Sequence, residues 1–128
     1  VRDAHRVLIV DVANVVGSRP TGWWRDRAGA AREFVARVRR ATEQGDLETP
    51  VVLVLEGQAR SGAAAGSAGD GLEVVHATGS GDDTIAALAA EHGDGAIVVS
   101  ADRELGRRVR ASGADVVGPS WLLDRIPD

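Results

Sequence analysis

Arg6-Val7-Leu8-Ile9-Val10-Asp11 is an unbroken apolar run closed by a carboxylate. A run with no polar alternation predicts a strand buried on both faces. The same pattern recurs outward from it, at Val51-Val52-Leu53-Val54-Leu55-Glu56 behind Pro50, and at Ala96-Ile97-Val98-Val99-Ser100. Leu72 to Ala77 reads as the third strand in chain order, and Ala114 to Val117 as a short fifth. Between the strands the period changes. From about Trp23 to Gln44, the residues Ala31, Phe34, Val35, Val38 and Ala41 recur at helix spacing, and Gly45 ends the run. Asp82 to His92 predicts a helix with Ile85, Leu88 and Ala89 inward, and Asp102 to Ser112 another with Leu105 and Val109 inward. Pro119 to Ile126 predicts a short last helix with proline near its start. Apolar strands alternating with helices predict an α/β fold of three layers, α/β/α, around a parallel sheet. Val12 to Gly22 is expected as loop, broken by Gly17, Pro20 and Gly22. Gly57 to Gly71, rich in Gly, Ala and Ser, is expected as a flexible, poorly ordered loop.

The 128 residues fit one domain, 1–128, with no internal repeat and no linker. Apolar residues make up 44% and charged residues 27%, a soluble globular composition. No apolar run approaches the roughly 20 residues of a membrane span. Asp3, His5 and Arg6 interrupt the first ten residues, which argues against a signal peptide and for a cytoplasmic protein. The chain begins with Val1, so its native start lies upstream or is a valine-coded start read literally. Cysteine is absent, which excludes disulfides, thiolate nucleophiles, zinc fingers and iron–sulfur clusters. All 15 basic residues are arginine, which excludes the P-loop lysine and Schiff-base chemistry. His5, His76 and His92 are scattered and form no ligand pattern. Gly79-x-Gly81 lacks the third glycine of a dinucleotide fingerprint.

Four carboxylates fall where surface solvation does not explain them. Asp11 ends the first strand, Asp82 and Asp83 open the helix after the third, and Asp102 follows the fourth within two residues. In an open α/β sheet, ligands bind beyond the carboxyl ends of the strands, and all four residues belong to that end. Each of Asp82, Asp83 and Asp102 also suits a helix N-cap, with Ser80 and Ser100 as competing caps. Gathered on one edge, such carboxylates repel one another until a proton or a cation relieves them. Hard oxygen donors without cysteine favour Mg²⁺ or Mn²⁺ over zinc. Asn14 is the only asparagine, three residues past Asp11. It reads either as a loop residue bonding its own backbone or as an amide positioning Asp11, a water or a phosphate.

Asp11-Val12-Ala13-Asn14 after an apolar strand resembles the Asp-x-x-Asn signature of the NYN domains of the PIN-like nuclease superfamily. Gly81-Asp82-Asp83-Thr84-Ile85 is similar to their Asp-Asp-x-x-Ile helix start, and Ser100-Ala101-Asp102-Arg103-Glu104-Leu105 to their Ser-x-Asp-x-x-Leu segment. Gly113-Ala114 resembles the closing Gly-Ala, and the YacP-like branch is the nearest in pattern. The resemblance runs from about Val7 to Leu123. It implies a PIN-like sheet in which the five strands, numbered along the chain, are ordered 3-2-1-4-5. It also implies metal-dependent hydrolysis of RNA, with Asp11, Asp82, Asp83 and Asp102 as the acidic site and Asn14 as its polar companion. Some relatives carry a further acid four positions after the one matching Asp102; here that position is Gly106, and Glu104 is a partial substitute. Asp26 and Glu33 are weak candidates for the acid that many PIN nucleases carry on the first helix. Glu56 is either an outlying acid of the site or a loop anchor accepting backbone hydrogen bonds.

With bound cations offsetting the net charge of −4, the arginines become available to phosphate. Arg103, Arg107 and Arg110 form one predicted stripe, and Arg25, Arg32 and Arg39 another; both also read as solvated helix faces. Trp23 and Trp24 are candidates to stack on unpaired bases, to pack into the core or to meet a second copy in a homodimer. RNA is the expected partner. The competing reading is a non-catalytic PIN-like module that binds RNA or a protein partner, with Gly106 as its support. A haloacid-dehalogenase-type phosphatase is disfavoured, because that chemistry wants an aspartate where Ala13 stands. A PIN-type toxin would bring a small antitoxin partner.

Overall fold

A computed structural model describes residues 6–126. His5 and the residues before it, included in the reading of the N-terminus, lie outside the described residues. The apolar run closed by Asp11 is strand β1 (Val7–Asp11), buried along its whole length. It continues directly into α1 (Val12–Gly17). After a 3-10 turn at Trp23–Arg25 come α2 (Arg27–Glu43) and β2 (Val51–Leu55). A second 3-10 segment (Gly57–Gly62) leads to β3 (Gly66–Gly69) and β4 (Leu72–His76). The chain closes with α3 (Gly81–His92), β5 (Ala96–Val99), α4 (Arg103–Ala111), β6 (Asp115–Val117) and α5 (Pro119–Leu123).

These strands form one six-stranded sheet in the order β3-β4-β2-β1-β5-β6. The five expected strands, now β1, β2, β4, β5 and β6, are parallel and stand in the expected 3-2-1-4-5 arrangement. This order is consistent with the PIN-like α/β/α sandwich that the resemblance implies. One expectation fails at the edge. The Gly57–Gly71 segment is not a disordered loop, because its last part is strand β3, paired antiparallel to β4 with a bulge between Ser67 and Gly69. The sheet is therefore mixed. Backbone pairing with β4 makes this strand where composition offers no strand former, a tertiary override of propensity. Arg60 fixes the start of the same segment, donating to the carbonyls of Gly57 (3.1 Å) and Ala77 (3.2 Å). The His76 ring reaches the Ala63 carbonyl at 2.7 Å, so this histidine is satisfied structurally.

The period of two along a strand divides the core. Leu8 and Val10 of β1 join Val51, Leu53 and Leu55 of β2 on the face covered by α1, α2 and α5. Val7 and Ile9 join Val52, Val54 and Val98 on the face covered by α3 and α4. Burying both faces is what the uninterrupted apolar strands require. Among the described residues no helix is long and apolar enough to cross a membrane.

Candidate active site

Strand β1 lies between β2 and β5, so its carboxyl end is where the sheet's connections diverge to either side. Asp11 occupies that end. Instead of opening a loop, it caps a helix: Asp11 Oδ1 accepts from the Asn14 backbone N–H at 3.3 Å. This corrects the expected Val12–Gly22 loop, because the capped turn runs on as α1 until Gly17. Across the switch, Val10 pairs with Val99, which sets Ser100 beside Asp11. The Ser100 hydroxyl donates to Asp11 Oδ2 at 2.9 Å and accepts from the Asp102 N–H at 3.1 Å. Asp102 then caps α4, with Oδ1 accepting from the Leu105 N–H at 3.0 Å. Asn14 closes the circuit, as its Oδ1 accepts from the Ala101 N–H at 2.7 Å. Asn14 therefore serves the facing loop, not its own backbone.

Among the described residues, Asp11 and Ser100 are the only polar side chains classed as buried, at 5% and 3% exposure, and they bond each other. Two polar groups removed from water at one place are costly unless paired. Burial pushes the Asp11 carboxyl up to about 6. The bonds from Ser100 and the Asn14 N–H pull it down, while the charges of Asp82 and Glu56 push the same way as burial. Asp82 is also raised, first by burial and then by Asp102 and Asp83, with Arg108 opposing. Asp11, Asp82 and Asp102 thus belong to one linked electrostatic field at the strand ends.

The other sequence-predicted residues divide. Ser80, not Asp82 or Asp83, is the N-cap of α3, accepting from the Asp82 N–H at 3.1 Å. Asp83 turns to Arg108 of α4 at 3.1 Å. Glu56 anchors the start of α3, its Oε1 accepting from the Gly81 N–H at 3.1 Å. An added Cβ at Gly81 would stand 2.1 Å from that oxygen, so any larger residue there would have to displace the Glu56 carboxylate. Glu104 pairs with Arg107 on an exposed surface of α4, so neither is turned to the strand ends as a free group. Arg103 is exposed at the start of α4. Gly106 is buried, and a Cβ there would face Arg110 Nη1 at 3.4 Å and Val116 Cγ1 at 4.0 Å.

Asp26 caps α2 through the Gly29 N–H at 2.8 Å, and Glu33 is exposed on the same helix. The helix begins at Arg27, so Arg25 lies in the preceding turn and the expected Arg25, Arg32, Arg39 stripe loses its first member. Arg25 sits 5.6 Å from the Trp24 ring and Arg27 5.2 Å from the Trp23 ring. Among the described residues, Trp24 is the exposed large hydrophobic residue, at 52%. Sequence reasoning missed the bridging role of Ser100 and the position of Arg108 as the cation facing Asp82 and Asp83. A lone serine directly after a buried strand, two residues ahead of an aspartate, was the available signal for the first.

The donor set is hard oxygen and mutually repulsive, which suits a divalent cation in its chemistry. As the side chains stand, however, no three Asp, Glu or His among the described residues are grouped closely enough to hold one.

No protein-family model matches the chain, and no curated protein matches it. Among solved structures, the chain is similar to a mutant of Rae1 (YacP) from Bacillus subtilis. The TM-score is 0.70 at 17% identity, covering 94% of this chain and 74% of that one. The chain thus has the fold of that protein, which bears out the YacP-like resemblance at the level of architecture.

Proposed function

We propose that residues 1–128 form a single NYN/PIN-like domain that hydrolyses RNA phosphodiester bonds, using Mg²⁺ or Mn²⁺ held by carboxylates at the carboxyl end of β1 and β5, in the cytoplasm. The observation that carries this reading is the buried Asp11–Ser100 pair, joined through Ser100 to Asp102. Asparagine or serine would cap α1 as well as aspartate does, so the helix cap alone does not call for a carboxylate there, whereas a cation site does. The similarity in fold to Rae1 (YacP) supports the same reading.

Asp11, Asp102 and Asp82 are the residues that would hold the ion, with Asp83 at their margin. When bound there, a divalent ion would supply a nucleophilic water near neutral pH and stabilise the leaving oxygen. Ser100 fixes the Asp11 carboxylate and the Asp102 backbone together. Asn14 fixes the loop carrying Asp102 by holding the Ala101 N–H. Arg103 at the start of α4 and Arg25 beside Trp24 would meet phosphate in this reading, and Trp23 and Trp24 unpaired bases. Trp24 is equally open to a second copy in a homodimer. The test is cleavage of labelled single-stranded and stem-loop RNA with Mn²⁺, with Mg²⁺ and with chelator, beside Asp102→Asn. Metal-dependent cleavage lost in the variant is the expected outcome.

The loose grouping of the carboxylates and the glycine at 106 favour a second reading, a non-catalytic module that binds RNA or a partner. RNA binding without cleavage under any metal would establish it in place of the first.

A further inference from the structure

A cavity of about 190 Å³ opens beside the strand ends, between α1, the start of α2 and the segment after β2. Val12, Ala13, Trp23, Arg27, Ala30 and Glu56 line it. It is smaller than the roughly 300–1,000 Å³ of pockets for drug-sized ligands, and suits one planar ring system. The Arg27 guanidinium lies 5.2 Å from the centroid of the Trp23 ring, which gives the cavity a cationic–aromatic side. Gly17 lets α1 approach the indole closely and hold it, since a Cβ there would stand 3.1 Å from Trp23 Cζ2. Ala13 and Ala30 contribute almost no bulk.

Two charged groups meet this slot with opposite hydrogen-bonding character. Glu56 commits Oε1 to the Gly81 N–H, which fixes the carboxylate and leaves its other oxygen as an acceptor. Arg27 brings only donors. A guanine base carries adjacent N1–H and N2–H donors beside the O6 and N7 acceptors, and arginine forks suit the latter pair. Uracil presents one N–H between two carbonyls, which a carboxylate repels. Val12 and Ala13, which follow Asp11 directly, line the cavity, so it adjoins the carboxyl end of β1.

We propose that this cavity is a base-recognition pocket for an unpaired guanine of the bound RNA, with Trp23 and Arg27 as its stacking wall and Glu56 and Arg27 reading the base edge. The proposal rests on the RNA-directed reading above and adds its base preference. The test is equilibrium binding of GMP, AMP, CMP and UMP in the presence of chelator, followed by Trp23 fluorescence in a Trp24→Phe, Trp121→Phe background. GMP should bind at least tenfold tighter than UMP. Ala30→Leu, which fills the cavity, should abolish that binding while the circular dichroism spectrum is retained. In a parallel calorimetric titration, Trp23→Leu should weaken GMP by roughly 5- to 150-fold, the loss of one base–aromatic stack. Glu56→Gln, which keeps an acceptor for Gly81, should erase the preference for guanine. Equal binding of all four nucleotides, no binding of any, or GMP binding unaffected by Ala30→Leu would overturn the proposal. RNA cleavage that persists alongside any of those results would refute the pocket and leave the nuclease standing. Selective GMP binding without any cleavage would do the reverse.

Discussion

Replacing Asp11 by asparagine should stabilise the protein at neutral pH. The native state holds this carboxyl at about 6 against an ordinary value of 3.8. At 1.36 kcal/mol per pH unit, that gap corresponds to about 3 kcal/mol of stability forgone once the group is ionised. The native state binds the proton more tightly than the unfolded chain. Stability from this group is therefore fully present below about pH 4, falls as pH rises towards 6, and stays lost above it. Asparagine removes the charge and keeps an acceptor for the Asn14 N–H. Its amide must turn its NH₂ to Ser100, whose hydroxyl then loses its acceptor, a re-pairing that costs about 1 kcal/mol. The net expectation is a gain of about 2 kcal/mol at pH 7–8, or roughly 5–15 °C in Tm, without added metal. At pH 4 the gain should vanish. Urea unfolding of both proteins at pH 4, 6 and 8 measures this directly, since titrating groups not coupled to Asp11 cancel in the difference. An Asp11→Asn protein less stable than the parent at pH 8, or a difference independent of pH, would refute the reasoning and make the carboxylate a structural element.

Ser100→Ala should destabilise by about 1–3 kcal/mol, because it strips a partner from a buried carboxyl and from the Asp102 N–H. It should also raise the Asp11 pKa further, which NMR titration of the carboxyl carbon would read. Gly81→Ala should cost about 1–3 kcal/mol in urea unfolding, since its methyl displaces the Glu56 carboxylate from the start of α3. Arg108→Gln should raise the Asp82 pKa by removing the opposing cation, while changing stability by less than about 1 kcal/mol, since the Arg108–Asp83 pair is exposed.

The order of the strands came from the resemblance to NYN domains, whereas the strands themselves were legible because each apolar run needs both faces covered, which a layered sheet provides. Val7–Asp11 and Val51–Leu55 carried that message in their composition alone. Helix α1 was hidden because its start depends on the Asp11 side chain, while Gly17, Pro20 and Gly22 just beyond it read as loop. Strand β3 was hidden because Gly66–Gly69 has no side chains that favour a strand; the unpaired edge of β4 makes it one. At the candidate site, the positions of Asp11, Asp82 and Asp102 follow from strand ends and helix starts, which sequence marks well. Side-chain direction does not. Asp83 turns to Arg108, Glu104 to Arg107 and Glu56 to Gly81 because of partners that only the packing of α3 and α4 supplies. The hydroxyl of Ser100 joins Asp11 to Asp102 through the register of β1 with β5, which pairs Val10 with Val99.

The carboxylates between β1 and β5 are proposed above to form a metal-dependent centre acting on RNA. The most direct test is the Mn²⁺ dependence of cleavage of one labelled RNA by the parent protein, Asp11→Asn and Asp102→Asn, each matched for folded fraction. Asparagine keeps the helix cap at both positions, so the folds should persist. Cleavage by the parent that rises with Mn²⁺ and stops with chelator, and its loss in both variants, is the predicted result. Cleavage that survives either substitution, or none by the parent at any Mn²⁺ concentration, would contradict the account.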